Sequence, residues 1–347
     1  MINKIFFRLL IVFGILLFSC GNSQNEPQPS PTSFVFAKGA DIGWLSQMEA
    51  SGYNFKDTDG TPKNCLQLLK DRGINTVRLR VWVNPSNHPI NGHCSKDETV
   101  AMAIKAKNLG MRIMINFHYS DSWADPGQQN KPAAWASHSF TELQNDVFNH
   151  TSDVLTALKI AGVTPEWVQI GNEIPGGFLF PEGSYTQFNQ LVQLLNKGYD
   201  ATKLIFPTSK VVIHLDKGND NSLYRWFFDQ AVTNGLKFDV IGASFYPYWL
   251  NTNYTNIITD LENNLKDMVL RYNKEVMVVE VGGDFTQVQD TKNMLTAVLN
   301  AVKNVPNNKG LGVIYWEPEG EKSWSGYQLN AWQQDGKPSI ALDAFKE

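Results

Sequence analysis

From residue 34 onward, short apolar runs rich in Val and Ile alternate with longer stretches of helical period. The runs occupy 34–37, 76–83, 111–117, 167–170, 211–213, 240–245, 276–280 and 311–315. Between them, at 64–72, 97–108, 140–161, 185–202, 223–233, 257–272 and 291–304, apolar residues recur with the spacing of one helix face, and 340–346 adds a last short helix. Gly73, Gly110 and Gly162 stand where three of these helices should stop. A strand that is apolar on both faces is covered on both, which points to a parallel sheet sheathed by helices. Eight such units predict a single closed (β/α)8 TIM barrel over 34–347, with short loops after strands seven and eight (282–289 and 319–324). A doubly wound open sheet would carry a glycine-rich phosphate turn after its first strand, and this chain has none there.

The polar residues gather at the C-terminal ends of the runs: Asp41, Arg78, His118, Glu173, His214, Asp216, Tyr246, Glu280 and Trp316. In a barrel those ends share one face, where reactions take place. Glu173 ends the fourth run, held between Asn172 and the turn Pro175-Gly176-Gly177, and Glu280 ends the seventh. Strands four and seven lie across the barrel from each other, so the two carboxylates can face each other over its mouth. Such a pair suits glycosidic-bond hydrolysis, in which one acid protonates the leaving oxygen while a carboxylate about 5–5.5 Å away attacks the anomeric carbon. Glu173 is then the acid, its pKa raised by burial and by Glu280, and Glu280 the nucleophile, kept ionised by Arg78 and a hydrogen bond from Tyr246. Asn172 is placed to hold the sugar 2-hydroxyl. Of Arg78 and Arg80, one is expected to face the barrel interior and the other its helices. His118 and His214 are interior histidines or site residues, and Trp82, Trp123, Trp249 and Trp316 are packing or sugar platforms.

With 30 basic and 34 acidic residues the chain has a net charge of −4, which does not suit binding to a phosphate backbone. Its ten Trp lean toward carbohydrate, because indole covers the apolar faces of sugar rings. Lys4 and Arg8 precede an apolar run that ends in Leu17-Phe18-Ser19-Cys20-Gly21. Residues 1–19 therefore read as an export signal of the lipoprotein kind, with Cys20 as the lipidated residue. Residues 20–33, polar and proline-rich, read as a flexible tether. The expected protein is exported, touches a membrane only through its lipid (periplasmic or at the cell surface), and works as a monomer. Cys65 and Cys94 fit no zinc spacing and are candidates for one disulfide.

From 36 to 345 the chain resembles glycoside hydrolase family 53, the arabinogalactan endo-β-1,4-galactanases. The resemblance rests on GADIGW (39–44), NTVRLRVWVNP (75–85), NFHYSDSWADPGQQNKPAAW (116–135), QIGNEIPGG (169–177), IHLD (213–216), SFYPYW (244–249), VVEVGG (278–283) and YWEP (315–318). It implies Glu173 as acid/base and Glu280 as nucleophile, supported by Arg78, His118, Asn172, Tyr246 and Trp316. The implied substrate is β-1,4-galactan of pectic side chains, cut internally with retention. Some bacterial members are similar but carry calcium and longer loops after strands seven and eight. This chain offers no dense Asp/Asn cluster there, so no cofactor is expected and calcium is unsupported. The residues alone leave open another retaining barrel glycosidase such as a β-mannanase or cellulase, a glycan-binding lipoprotein without activity, and a metal hydrolase built on His118, His214 and Asp216.

Overall fold

The computed structural model describes residues 34–347; the expected export signal, Cys20 and the expected tether lie outside the described residues. The strands are β1 (Ala37–Asp41), β2 (Thr76–Val81), β3 (Arg112–Phe117), β4 (Trp167–Ile170), β5 (Lys210–Leu215), β6 (Val240–Phe245), β7 (Glu275–Val281) and β8 (Gly310–Tyr315). All pair in parallel and in sequence order, and β8 returns to β1 to close the barrel. The helices are α1 (Leu45–Ala50), α2 (Cys65–Asp71), α3 (Lys96–Asn108), α4 (Phe140–Ile160), α5 (Phe188–Ile205), α6 (Asn221–Thr233), α7 (Ile258–Tyr272), α8 (Val288–Lys303) and the short α9 (Lys322–Ser325). The closing segment Ile340–Lys346 is a 3-10 turn.

Local chemistry explains these elements. Ser95 with Glu98 and Ser139 with Glu142 form reciprocal caps that start α3 and α4. Leu143, Val147, Val154, Leu155 and Leu158 put one apolar stripe of α4 against the barrel. Alternation along each strand separates two cores. Val77, Leu79, Ile113, Ile115, Val276 and Val278 join the layer shared with the helices, whereas Met114, Trp167, Val212, Met277, Val279 and Ile314 fill the barrel itself.

Four findings amend the sequence reading. β1 begins at Ala37, where the expected run ends, and continues through Gly39-Ala40-Asp41. Gly39 belongs in the strand because a Cβ there would lie 2.8 Å from Ile314 Cγ1. Arg78 and Arg80 do not divide between the two layers: both are buried and both point into the mouth, because residues two apart on a strand share a face. After β8 the chain takes residues 316–339, including α9, to reach its last turn, so this connection is longer than expected, while 282–287 after β7 is short. Cys65 and Cys94 are separate, buried free thiols.

β7 carries a bulge. Ala243 pairs with Val278 but Ser244 with Glu280, so one residue of β7 is passed over. Val276 and Val278 face the helices, and strict alternation would send Glu280 after them. The extra residue reverses that parity and turns Glu280 into the mouth, where it meets Arg78.

The barrel seam is equally tight. A Cβ on Gly312 would lie 2.2 Å from the Ala37 carbonyl oxygen, a backbone atom that cannot step aside. Gly312→Val should therefore cost about 2–3 kcal/mol of stability, read as a lower urea midpoint with an unchanged slope.

Candidate active site

Arg78 stands at the centre of the mouth. Its Nη1 donates to Asp41 Oδ2 at 2.6 Å and lies 2.9 Å from Glu280 Oε1. Its Nη2 donates to Asn172 Oδ1 at 2.8 Å and its Nε to Gln169 Oε1 at 3.1 Å. One buried cation thus ties β1, β2, β4 and β7 together, using the fixed fork of a guanidinium. Arg80 reaches the other way, pairing with Glu317 and lying 3.6 Å from Asp41 Oδ1. Its guanidinium lies over Trp123 at 4.5 Å from the ring centroid. Glu317 also accepts from the backbone N–H groups of Gly43 and Trp44 at 2.8 and 3.1 Å, which fixes the start of α1. Trp44 in turn packs edge-on to Trp123 and Trp316, and Tyr327 closes this aromatic wall.

Glu173 comes from a sharp exit of β4. Gly171 and Glu173 itself are both left-handed, with φ of 80° and 47°. A non-glycine residue holds such a φ only where its neighbours over-determine it. Here Glu173 N–H donates to His214 Nδ1 at 3.3 Å, Ile174 N–H donates to the His214 carbonyl at 3.0 Å, and Gln129 Nε2 donates to the Asn172 and Glu173 carbonyls. Ser244 Oγ donates to Glu173 Oε1 at 2.6 Å and lies 2.8 Å from His214 Nε2. Because the Glu173 N–H uses Nδ1 as an acceptor, neutral His214 carries its proton on Nε2 and gives it to Ser244. Ser244 then has its own proton for Glu173 Oε1, and Oε2 is the oxygen left to hold an acid proton.

Among the described residues, those proposed from the sequence for catalysis or sugar binding lie at or beneath this face. Asp41, Arg78, Asn172, His214 and Glu280 form one buried network; Tyr246 O–H joins it through Glu280 Oε2 at 3.3 Å. His118 supports the network from beneath: its Nδ1 accepts from Trp82 Nε1 and Ala124 N, and Nε2 lies 3.0 Å from Asn116 Nδ2. Trp123 and Trp316 stand in the aromatic wall, and Trp82 is fully buried packing. Asn172 gives Nδ2 to the Ala124 carbonyl at 2.9 Å, which leaves the second hydrogen of that amide for a sugar hydroxyl. Asp216 lies apart from the Arg78 network, in the wall of a cleft of about 250 Å³ that Glu173 also lines. Both histidines spend both ring nitrogens inside the protein, and among the described residues no three His, Cys, Asp or Glu side chains are arranged to hold a metal ion. Sequence reasoning missed Ser244, Gln169 and Glu317. The usable signal was parity: Ser244 precedes Tyr246 by two, and Gln169 follows the interior Trp167 by two.

The model of glycosyl hydrolase family 53 matches residues 37–345, nearly the whole described chain. The chain belongs to glycosyl hydrolase family 53. It is 34% identical over 302 residues to the arabinogalactan endo-β-1,4-galactanase of Thermothelomyces thermophilus, covering 80% of this chain and 88% of that one. Among solved structures it is similar to the family 53 catalytic domain of Ignisphaera aggregans, with a TM-score of 0.84 and 31% identity over 90% of this chain and 95% of that one. A fungal β-1,4-galactanase structure matches with a TM-score of 0.82 and 31% identity, over 90% of this chain and 100% of that one.

For a family 53 glycosidase the electrostatics of the pair are decisive. Burial and the negative charge of Glu280 push the Glu173 carboxyl well above its usual range, outweighing Ser244 and Arg78. Burial also raises Glu280, but there Arg78 and Tyr246 oppose it. The two carboxyls therefore differ in kind, and a single shared proton belongs on Glu173. Activity that requires protonated Glu173 falls as pH rises through the Glu173 pKa. Ser244 favours the ionised form, so Ser244→Ala should raise that pKa and move the basic limb of kcat/KM to higher pH. Glu280→Gln removes a negative neighbour and should lower the Glu173 pKa, read directly by ¹³C-carboxyl NMR titration.

Proposed function

We propose that this protein is an endo-acting, retaining β-1,4-galactanase that cuts the galactan backbone of type I arabinogalactan in pectin side chains. The observation that carries the mechanism is the pair of unlike carboxyls, Glu280 against Arg78 and Glu173 against Ser244, in one buried mouth. The substrate reading is supported by family membership and by the galactanase names of relatives at 31–34% identity.

In the first step Glu280 attacks the anomeric carbon while Glu173 gives its proton to the glycosidic oxygen, so the leaving chain departs as a neutral alcohol. Arg78 holds Glu280 ionised and aimed. As negative charge leaves Glu280, Glu173 becomes the carboxylate, so the site carries one net charge of the pair throughout. Glu173 then takes a proton from water, which attacks the same carbon and releases the sugar with its original configuration. Asn172 offers its free amide hydrogen to the 2-hydroxyl.

The basic, apolar N-terminus and Cys20 support export with a lipid anchor, which would place the hydrolase where polysaccharide is met. Labelled palmitate should enter the full chain and be lost in Cys20→Ala; incorporation into both would remove the anchor.

Purified enzyme should release short galacto-oligosaccharides from linear β-1,4-galactan, with the β-anomer appearing first by ¹H NMR. Glu173→Gln and Glu280→Gln should each lower kcat by about 10³-fold or more. Wild-type rates in both variants would refute the mechanism, and cleavage of mannan or cellulose in place of galactan would refute the substrate.

A further inference from the structure

The base of the barrel, opposite the mouth, is where the strands begin and where α2 to α8, which run against them, end. Charge is sorted along these helices. Asp97 and Glu98 of α3, Glu142 of α4, Asp260 of α7 and Asp290 of α8 stand in first turns, toward the mouth. Lys107, Lys159, Lys203, Arg271 and Lys303 stand in the last turns of α3, α4, α5, α7 and α8, at the base. The net charge of −4 is therefore a sum over two unlike ends.

Ion pairing sharpens the difference. Carboxylates at the base are matched: Glu166 with Arg112 at 2.6 Å, Asp239 with Lys203 at 2.8 Å, Glu275 with Lys210 at 2.6 Å and Asp343 with Arg72 at 2.7 Å. Asp71 and Glu347 have Lys63 and Lys292. Lysines are left over. Lys38, Lys70, Lys159, Lys274 and Lys309 donate to the carbonyls of Phe345, Leu109, Ile205, Phe238 and Asn273. Like Lys107 and Lys303, they have no carboxylate within 4.0 Å among the described residues. Capping explains why each lysine sits there. It does not cancel their charge, because a helix end carries only a fraction of one.

The same end receives the N-terminal chain. β1 starts at Ala37, so the residues before it join the barrel at its base. Fully extended, residues 20–33 reach about 50 Å at most, which limits the distance of a lipid on Cys20 but not the direction of the barrel. We propose that the lysine-rich base is a docking face for an anionic lipid surface, seating the barrel on the bilayer with its mouth turned outward to the polysaccharide. The proposal deepens the lipid-anchor reading and rests on it for the nearness of a bilayer. Each lysine near such a surface adds attraction. The mouth lies about 30 Å away, the length of the 21-residue α4, which is beyond the Debye length of about 10 Å, so its acids do not oppose docking.

The test mixes the protein, purified from an exporting host, with vesicles of phosphatidylcholine alone or with about 30% phosphatidylglycerol at low salt, then acetylates exposed lysines with a membrane-impermeant reagent. Relative to Lys217 and Lys322 on the mouth side, Lys107, Lys159 and Lys303 should be labelled about fivefold less on the anionic vesicles, and about 0.5 M NaCl should restore the labelling. In Lys107→Glu/Lys159→Glu/Lys303→Glu, with near-UV circular dichroism unchanged, the protection of Lys70 should vanish. Equal labelling on both vesicles, protection of Lys70 that survives the triple change, or protection of Lys217 and Lys322 instead overturns the docking face. Stronger protection by soluble polygalacturonate than by phosphatidylglycerol at equal charge assigns the face to a polysaccharide and overturns the lipid. Sedimentation with neutral vesicles reads the anchor separately: its absence, with protection on anionic vesicles intact, removes the anchor and keeps the face.

Discussion

A guanidinium shielded from solvent holds the mouth of this barrel together. Arg78 has lost its hydration, and a buried ion is tolerable only when its charge and its donors are both answered. Asp41 and Glu280 answer the charge; Asn172 and Gln169 accept from Nη2 and Nε. Each partner comes from a different strand from Arg78, so the same contacts that stabilise the ion fix β1, β4 and β7 relative to β2. The fit is mutual, because without Arg78 two carboxylates would be left facing one another in a dry site.

From that centre the two proposed catalytic carboxyls acquire opposite characters. Glu280 sits against the cation, and Glu173 against a hydroxyl that His214 supports from behind. Burial acts on both in the same direction, so it cannot distinguish them; their neighbours do. Trp44 and Trp123 of the aromatic wall pack over the guanidinium of a second ion pair, Arg80 with Glu317.

Strands were legible because a parallel strand buried on both faces is written as an unbroken apolar run. β1 was displaced by three residues because Gly39-Ala40-Asp41 lacks apolar bulk; the close approach of Ile314 selects small residues there. Arg78 and Arg80 were divided between layers, against the two-residue period of a strand. Two buried arginines two residues apart look prohibitive until the carboxylates opposite them are known: Asp41 is on the neighbouring strand, and Glu280 and Glu317 are far along the chain. Ser244 was invisible for a different reason: a serine inside an apolar run reads as a neutral filler, and only its 2.6 Å contact with Glu173 gives it a role. Glutamates at strand ends, by contrast, announce themselves, since nothing in a barrel core requires them.

The bulge in β7 has a consequence for how such a site tolerates change in chain length. Glu280 faces inward because the chain holds one residue more than the pairing with β6 uses. Orientation is thus set by a count, and no side-chain contact upstream encodes it. Loss of Val279, the single residue between Val278 and Glu280, would remove the bulge and leave the carboxylate opposite Ser244 and facing the mouth, whereas straightening the strand with Val279 kept would point it at the helices. Within those few residues of β7, strand length and bulge must change together for the carboxylate to keep its direction.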